Sequence, residues 1–326
     1  MRYIVVGAGA VGGAIGGRLF QHGHDVVLVA RGDHLAALRS TGLKLRDPDS
    51  TVQLSIEAVG NVADARPQGD DVVILATKSQ HSEALLGDLE VTAPPRIAVV
   101  CAQNGVENER LALRRFANTY GMKVVLAGTH LEPGVVEIST APLWGVLDVG
   151  RFPGGTDELA RRIAEDLRGS GFDARATPKV MAHKYAKLLS NLANAVQAAC
   201  GTLDDPIGRA LGDAAREEAR ACYLAAGIEV ADAGEEAERL RARGFSMPVG
   251  GADRAGGSSW QSLRRVTGNI ETDWLNGEIV LLGRLYGVAT PVNERLQAVA
   301  NKMAHEAMAP GSIPAEELAA GLLGDP

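Results

Sequence analysis

The chain opens with Arg2-Tyr3-Ile4-Val5-Val6-Gly7-Ala8-Gly9-Ala10-Val11-Gly12, and this stretch decides the fold. An apolar run rich in β-branched residues leads directly into glycines spaced G-x-G-x-x-G, and a second apolar run follows at Val26 to Val29. Strand, glycine-rich turn, helix and strand in this order are typical of a dinucleotide-binding unit, in which the helix N-terminus faces the phosphates. We therefore predict that a dinucleotide is bound by the turn residues Gly7, Gly9, Ala10, Val11 and Gly12.

The residues after the second strand indicate which dinucleotide is bound. An Asp or Glu at this place usually binds the ribose 2′-hydroxyl of NAD. Here the chain reads Ala30-Arg31-Gly32, and Asp33 is the first carboxylate. Because the planar guanidinium of Arg31 can bind a 2′-phosphate through two hydrogen bonds, we expect NADP(H). The alternative is a solvated Arg31, with Asp33 reaching back to bind NAD.

Composition and charge favour a soluble, cytoplasmic protein. The 326 residues are 46% hydrophobic, and the net charge of −7 gives no general reason to bind nucleic acid or an anionic membrane. Cys101, Cys200 and Cys222 lack metal-ligand spacing, so we expect a reducing compartment and no metal site. The first strand leaves no room for a signal peptide, and no uninterrupted apolar run reaches the roughly 18 residues that predict a membrane span.

Two different patterns divide the chain. Continuous apolar runs at 71–76, 96–100 and 124–127 indicate parallel strands that are covered on both faces. From about residue 176 the pattern is helical, with helices predicted over 181–200, 207–226, 271–286 and 293–308. A polar, glycine-rich stretch over 231–259 is compatible with a mobile loop. We therefore predict a doubly wound Rossmann domain over residues 1–175 and an all-helical domain over residues 176–326.

The helix from Met181 carries an unusual polar stripe. At about 100° per residue, Lys184, Lys187, Asn191 and Asn194 share one face. An ordinary solvated face is the alternative, but Asn is a poor residue for a helix interior, so two of them favour a functional stripe. A lysine ammonium can stabilise the negative charge that develops on a carbonyl oxygen during reduction and then donate the proton. The like charge of Lys184 would favour that donation from Lys187.

Other polar residues fall where ligands bind. Ligands of parallel sheets lie beyond the carboxyl ends of the strands, and Arg31, Lys78 and Asn104 all follow predicted strands. Glu271 opens a predicted helix, where a carboxylate is also favoured by the helix dipole alone. Taken singly, Glu271 therefore does not indicate a site.

In combination, these motifs resemble those of the ketopantoate reductase (2-dehydropantoate 2-reductase) family over nearly the whole chain. The matching features, in order, are the glycine-rich turn with Arg31, Lys78, Gln103-Asn104-Gly105, Lys187-Leu188 with Asn191, Ser259 followed by Glu271 and Asp273, Asn276-Gly277, and Pro291-Val292-Asn293. The resemblance implies a Rossmann domain and a helical domain of the 6-phosphogluconate dehydrogenase C-terminal type. It also implies reduction of 2-dehydropantoate to (R)-pantoate by NADPH, in pantothenate and coenzyme A biosynthesis.

The resemblance further implies a role for each matching residue. Lys187 would protonate the carbonyl oxygen, and Glu271 would position the substrate hydroxyl close to Lys187. Arg31 would bind the 2′-phosphate, and Lys78 would lie near the phosphates or the nicotinamide of the cofactor. The small 2-keto acid would be bound by Asn104, Asn191, Asn194 and Ser259, with Asn104 also next to the cofactor.

Several positions depart from the family pattern, and three of them leave other functions open. Ala195 stands where the family has a second asparagine, which Asn194 would replace, and His81 and Leu263 replace a glutamine and an aspartate. A related NADPH-dependent reductase of another 2-keto acid or carbonyl compound is therefore one alternative. A non-catalytic NADP(H)-binding regulator is another, although a sensor needs no catalytic lysine. Helical second domains often dimerise, which makes a homodimer the oligomer to test.

Overall fold

The computed structural model describes residues 1–242, 244–251 and 256–323. It divides into two compact units: Met1–Lys184 together with Ala231–Arg254, and Tyr185–Val230 together with Ala255–Pro326. This division differs from the one predicted between residues 175 and 176. The chain first leaves the first unit at Lys184, and a later segment returns to it.

Strands and helices alternate in the first part of the chain, and helices predominate after residue 176. The strands are β1 (Arg2–Val6), β2 (Asp25–Val29), β3 (Leu43–Arg46), β4 (Thr51–Leu54), β5 (Glu57–Val59), β6 (Val72–Leu75), β7 (Ala98–Cys101), β8 (Thr119–Val125), β9 (Gly128–Thr129), β10 (Val135–Ile138), β11 (Thr140–Pro142), β12 (Val146–Arg151), β13 (Asp173–Ala176) and β14 (Gly244–Ser246). The helices are α1 (Ala10–Gln21), α2 (Gly32–Ser40), α3 (Ser82–Thr92), α4 (Asn108–Leu113), α5 (Glu158–Gly169), α6 (Val180–Asn191), α7 (Asn194–Cys200), α8 (Pro206–Ala226), α9 (Ala233–Ala242), α10 (Ser258–Arg264), α11 (Asn276–Tyr286), α12 (Pro291–His305) and α13 (Ala315–Ala319). Short 3-10 helices span Ala63–Ala65, Ser79–His81 and Glu271–Trp274.

The main sheet of the first unit confirms the predicted doubly wound fold. Its strand order is β5-β2-β1-β6-β7-β8-β12-β13, and the strands from β5 to β8 are parallel. These six strands have the order expected of a dinucleotide-binding fold, with the change of direction between β1 and β6. β12 runs antiparallel to β8, and β13 runs parallel to β12. The carboxyl ends of β1, β2, β6 and β7 therefore meet at one edge of the sheet.

The central strands are buried on both faces, which explains their continuous apolar runs. Tyr3 and Val5 pack into a core on one face, whereas Ile4 and Val6 pack into the core on the other. Because successive side chains of a strand point to opposite faces, each face needs its own apolar residue at every second position.

A smaller sheet, with the order β4-β3-β10-β9, covers the other side of α1. Small residues let α1 approach both sheets. A Cβ on Gly16 would lie 2.7 Å from Leu28 Cδ2 of the main sheet, and one on Gly17 would lie 2.6 Å from Leu45 Cδ1 of the smaller sheet. This second sheet is not among the elements predicted from the sequence.

The polar stretch at 231–259 is structured where it is described, contrary to the expectation of a mobile loop. It contains α9 and β14, and β14 pairs with β11 of the first unit. Arg239 of α9 forms two hydrogen bonds to the buried carboxylate of Asp148, at 2.6 and 2.9 Å, and a third of 3.0 Å to Asp173. Lys123 pairs with the same Asp148 at 2.9 Å. Residues 243 and 252–255 lie outside the described residues.

The second unit is helical in its described part, as predicted. Asp205 caps α8 by accepting a hydrogen bond from the Gly208 amide at 2.8 Å, Pro206 occupies the first turn, and Gly227 ends the helix at a φ of +65°. The predicted helix over 271–286 is instead a 3-10 turn followed by α11. Within the described ranges, every helix is too short or too polar to span a membrane.

Candidate active site

The turn between β1 and α1 needs glycine at two positions and leaves open space at a third. Gly7 has a φ of +97°, and a Cβ on it would lie 2.7 Å from Thr77 Cγ2. A Cβ on Gly12 would lie only 2.0 Å from the Gly7 carbonyl oxygen. By contrast, the nearest atom to a Cβ on Gly9 is His130 Cδ2, at 3.8 Å. Gly7 and Gly12 therefore serve packing, whereas the space at Gly9 allows a ligand to approach the backbone.

The start of α1 provides the donors for an anion. Gly9 is the N-cap residue, so the amides of Ala10, Val11 and Gly12 lie in the first turn, where they have no partner within the helix. Thr77, which follows β6, holds a buried hydroxyl with no hydrogen-bond partner in the described part of the chain. Open space, first-turn amides and an unsatisfied hydroxyl together fit the pyrophosphate of a dinucleotide.

Arg31 and Lys78 lie at the ends of two strands on the same edge of the sheet. Arg31 is the exposed N-cap residue of α2, directly after β2 and Ala30, and Asp33 in the first turn of α2 is exposed as well. Lys78 is half-buried and precedes the 3-10 helix Ser79–His81. Both cations therefore lie beyond the carboxyl ends of parallel strands, the edge at which such sheets usually bind ligands.

His34 supports the glycine-rich turn, a role that the sequence analysis did not predict. Its Nε2 donates to the Ala8 carbonyl oxygen at 2.8 Å, while its Nδ1 accepts a hydrogen bond from the Gly134 amide at 2.9 Å. These two bonds select the neutral form with the proton on Nε2. Burial lowers the pKa of His34, which also favours the neutral ring. The ring of His130 packs on it at 4.3 Å.

The turn after β7 carries the half-buried Asn104 and is held by buried polar groups. Gly105 completes the turn at a φ of +81°.

Lys184, expected to act as a like charge near Lys187, instead forms a buried ion pair with Glu109. Its charge is therefore compensated, and the electrostatic role that we predicted for Lys184 is wrong.

The predicted helix over 181–200 is interrupted, so its polar stripe is shared between two helices. α6 ends at Asn191 and α7 begins at Asn194. Asn276 donates a 3.2 Å hydrogen bond to the Leu192 carbonyl, the group that a continuous helix would pair with residue 196. Both ends of the interruption are asparagines, which compete with the helical backbone for hydrogen bonds.

On α6, Lys187 and Asn191 lie one turn apart. Lys187 is half-buried, and its Nζ donates to Ser190 Oγ at 2.9 Å. Asn191 is only 5% exposed, yet its Oδ1 has no hydrogen-bond partner among the described residues. An unsatisfied buried acceptor costs free energy in the absence of a ligand, so it indicates a place where a ligand donor fits.

Asn194 lies beside the start of α10. Its Nδ2 approaches Ser258 Oγ at 3.5 Å, and the nearby Gly257 amide donates to Gln197 Oε1 at 2.9 Å. Ser259, the predicted substrate ligand, is the next residue and is 3% exposed. The structure therefore brings Asn194 to the segment that carries Ser259, with Ser258 as its direct neighbour.

Glu271 is nearly buried and has a cationic neighbour that the sequence analysis missed. It begins the 3-10 helix Glu271–Trp274 and is 6% exposed. Burial lowers the pKa of Arg265, and the charge of Glu271 acts in the opposite direction. In the sequence, this interaction is indicated by the two arginines at 264–265, which shortly precede Glu271.

The three departures that leave the substrate open have different environments. Ala195 in α7 and Leu263 in α10 are buried, at 3% and 5% exposure, whereas His81 is exposed. The first two replace polar family residues by apolar ones inside the second unit. Each of these two positions therefore lacks a hydrogen-bonding side chain that the family pattern has there.

Comparison with known proteins covers most of the chain. Residues 3–154 match the family model described as ketopantoate reductase PanE/ApbA, and residues 179–304 match the model of its C-terminal part. The 2-dehydropantoate 2-reductase of Pyrococcus horikoshii is 29% identical over 196 residues, which is 59% of this chain and 62% of that relative, less than two thirds of its length.

Two further matches extend over nearly the full length. The 2-dehydropantoate 2-reductase of Archaeoglobus fulgidus is 28% identical over 307 residues, covering 90% of this chain and 95% of the relative. The crystal structure of a PanE/ApbA family ketopantoate reductase from Ralstonia eutropha has a TM-score of 0.78 and 27% identity, covering 94% of this chain and 99% of that one.

Proposed function

This chain belongs to the ketopantoate reductase family, and from that premise we propose that it reduces 2-dehydropantoate to (R)-pantoate with NADPH, a step that supplies pantothenate and coenzyme A synthesis. The family resemblance seen in the sequence is thereby confirmed. The observation that carries the proposed activity is the pair on α6. The half-buried Lys187 can donate a proton. One turn later, the buried Oδ1 of Asn191 has no hydrogen-bond partner among the described residues and can accept a hydrogen bond from a ligand.

The residues of the first unit fit a reduced nicotinamide dinucleotide. Gly9 leaves room for the pyrophosphate, the first-turn amides from Ala10 to Gly12 bind its oxygens, and Lys78 adds positive charge. Arg31, exposed at the N-terminus of α2, binds the 2′-phosphate of NADPH. When bound, the reduced nicotinamide supplies the hydride for the keto carbon.

Substrate binding and proton donation are assigned to the remaining predicted site residues. As hydride arrives, negative charge develops on the carbonyl oxygen, and Lys187 stabilises this charge and donates the proton. Glu271 accepts a hydrogen bond from the substrate hydroxyl and orients it. The carboxylate and the remaining polar atoms of the keto acid are bound by Asn104, Asn191, Asn194 and Ser259.

The proposed chemistry is tested by following NADPH oxidation with ketopantoate. Replacing Lys187→Ala should lower kcat by about 10²- to 10⁴-fold, the usual contribution of a positioned general acid, while the Kd for NADPH stays near that of the wild type. Lys302→Ala, on the last turn of α12, is the matched control and should retain full activity. Unchanged turnover of Lys187→Ala would exclude this lysine as the acid.

Cofactor preference is tested at the end of β2. Arg31→Ala should weaken NADPH binding by roughly tenfold to a hundredfold, the loss expected for hydrogen bonds to a charged group, and should leave NADH binding nearly unchanged. Arg39→Ala removes an exposed charge from the same helix and controls for general electrostatics. Equal weakening of both cofactors by Arg31→Ala would refute 2′-phosphate binding.

A second candidate function is the reduction of another 2-keto acid or carbonyl compound. The apolar, buried Ala195 and Leu263 motivate it, because both replace groups that could hydrogen-bond a polar substrate. Rates on a panel of 2-keto acids separate the two functions. A higher kcat/KM for a keto acid with an apolar chain would favour this alternative over ketopantoate.

A non-catalytic NADP(H)-binding regulator is the weaker alternative, because it needs neither Lys187 nor a buried Glu271. Tight NADPH binding in calorimetry, with no turnover of any keto acid on the panel, would favour it. In that case Lys187→Ala would change neither binding nor any measurable rate.

We also propose a homodimer formed through the second unit. α8 and α11 together expose large apolar side chains, with Leu224 at 85%, Leu281 at 48%, Leu285 at 66% and Tyr286 at 50% exposure. Large apolar side chains exposed on two neighbouring helices are the feature that motivates this proposal. Light scattering should give the mass of a dimer for the wild type and of a monomer for Leu285→Glu. A monomeric wild type would refute this assembly.

A further inference from the structure

The turn that carries Asn104 is bonded to a buried cation. Lys184 is 3% exposed and forms an ion pair with the fully buried Glu109. Its ammonium also donates to the carbonyl oxygens of Gln103, at 3.1 Å, and Cys101, at 3.5 Å. An ammonium has three N–H donors, and these acceptors use all three. Lys184 therefore holds the backbone on the N-terminal side of Asn104 and has no donor left for a ligand.

The side chain of Gln103 fixes the same turn from a second direction. Its Nε2 donates to Ser82 Oγ at 3.0 Å, and Ser82 Oγ donates to Asn108 Oδ1 at 2.7 Å. Asn108 Nδ2 in turn donates to Ser79 Oγ at 3.0 Å. All four side chains are buried. The network connects the segment just after Lys78 with the residue just before Asn104.

Stability alone does not account for the ion pair. Burial raises the pKa of Glu109, with Lys184 acting against it, so the carboxylate is held in a place that disfavours its charge. Its second oxygen, Oε2, is buried and has no hydrogen-bond partner in the described ranges. Replacing a buried ion pair by apolar residues of similar volume is often neutral or stabilising. The pair is therefore weak evidence for stabilisation, and its bonds to the turn point to a positioning role.

We propose that Lys184 and Glu109 are positioning residues that pre-organise Asn104 for the keto acid and the nicotinamide. They contact neither ligand and act by fixing the Gln103 carbonyl, and with it the backbone and side-chain direction of Asn104. This inference rests on the proposed function, in which Asn104 binds substrate and cofactor. A loosely held Asn104 would lose the geometry on which productive binding depends.

The structural part of the proposal is tested by amide hydrogen exchange. In the double variant Lys184→Met/Glu109→Leu, exchange at the amides of Asn104 and Gly105 should become at least about tenfold faster, with the Tm within a few degrees of the wild type. Arg2→Met/Asp71→Leu removes an ion pair at the opposite edge of the same sheet and should leave these amides unchanged. If the double variant does not fold, Glu109→Gln should give a smaller change in the same direction. Unchanged exchange at Asn104 would overturn the proposal.

The functional part is tested by a double-mutant cycle. Replacing the pair should raise the KM for the keto acid by about tenfold or more when Asn104 is present, and should have little further effect in an Asn104→Ala background. A merely structural role would give losses that add in both backgrounds, and additive losses would overturn the positioning role. A wild-type protein that is inactive on every keto acid would refute the proposed function. Amide hydrogen exchange requires no turnover, so it would still decide whether the ion pair holds the turn.

Discussion

Two glycines of one motif are expected to respond to the same substitution in different ways. A methyl group on Gly12 would lie 2.0 Å from the Gly7 carbonyl oxygen and 2.9 Å from both Ala76 Cβ and Val5 Cγ1. Ordinary contacts begin at 3.4 Å, so α1 would have to move more than about 1 Å away from β1. In Gly9→Ala, the new methyl group meets nothing closer than 3.8 Å.

The magnitudes follow from this geometry. Overpacking costs about 1–3 kcal/mol or somewhat more, while Gly→Ala inside a helix contributes about 1 kcal/mol in the opposite direction. For Gly12→Ala we expect a net loss of about 2 kcal/mol, or roughly 4–8 °C in Tm for a domain of this size. For Gly9→Ala, loss of a favourable N-cap residue costs less than about 1 kcal/mol. Its methyl group, however, occupies the space through which the pyrophosphate reaches the backbone.

The assay combines thermal unfolding without cofactor and calorimetric titration with NADPH. Gly12→Ala should melt earlier, whereas Gly9→Ala should melt near the wild type but bind NADPH at least about tenfold more weakly. A Tm of Gly12→Ala equal to or above that of the wild type would show that helix propensity outweighs the clash and would refute the packing argument. Wild-type affinity in Gly9→Ala would place the pyrophosphate elsewhere.

Two further predictions concern buried charge and a buried histidine. Asp148→Asn should lower the free energy of unfolding by about 3–5 kcal/mol, because Lys123 and Arg239 lose their shared carboxylate. Chemical denaturation measures this loss. The loss should be smaller for Arg239→Met, in which Lys123 still pairs with Asp148. Burial lowers the pKa of His34 below its usual 6.5, so the unfolded chain takes up this proton at a higher pH than the folded chain. Stability is therefore fully present above about pH 6.5 and decreases as the pH falls below it. Urea unfolding at several pH values should show a weaker decrease for His34→Asn, and an identical pH dependence in both proteins would contradict the assigned neutral ring.

Features that depend on neighbouring residues in the chain could be predicted from the sequence. The first thirty residues predict strand, turn, helix and strand because the glycine spacing and the apolar runs are local signals. The ends of α8 are likewise marked by Asp205, Pro206 and Gly227. The strand order of the main sheet follows from the fold class that these signals define.

Features that depend on distant residues could not be predicted. The break after α6 requires Asn276, 84 residues away, to bond the Leu192 carbonyl. The partner of Lys184 is Glu109, 75 residues earlier in the chain. The segment that forms α9 is predicted as a loop because the stretch around it is polar and rich in glycine. Its packing depends on the hydrogen bonds from Arg239 to Asp148, which is distant in the chain. In each case a tertiary hydrogen bond decides the local structure.

The return of residues 231–254 to the first unit has a consequence for dissection of the protein. A fragment that ends at residue 184 would lack β14 and Arg239, leaving the edge of β11 unpaired and Asp148 with Lys123 alone. Neither unit is a contiguous gene segment, so a chimaera that exchanges the helical unit with a relative needs three crossover points, near residues 184, 230 and 254. Such an enzyme can be recombined as a set of segments but not cut into two halves.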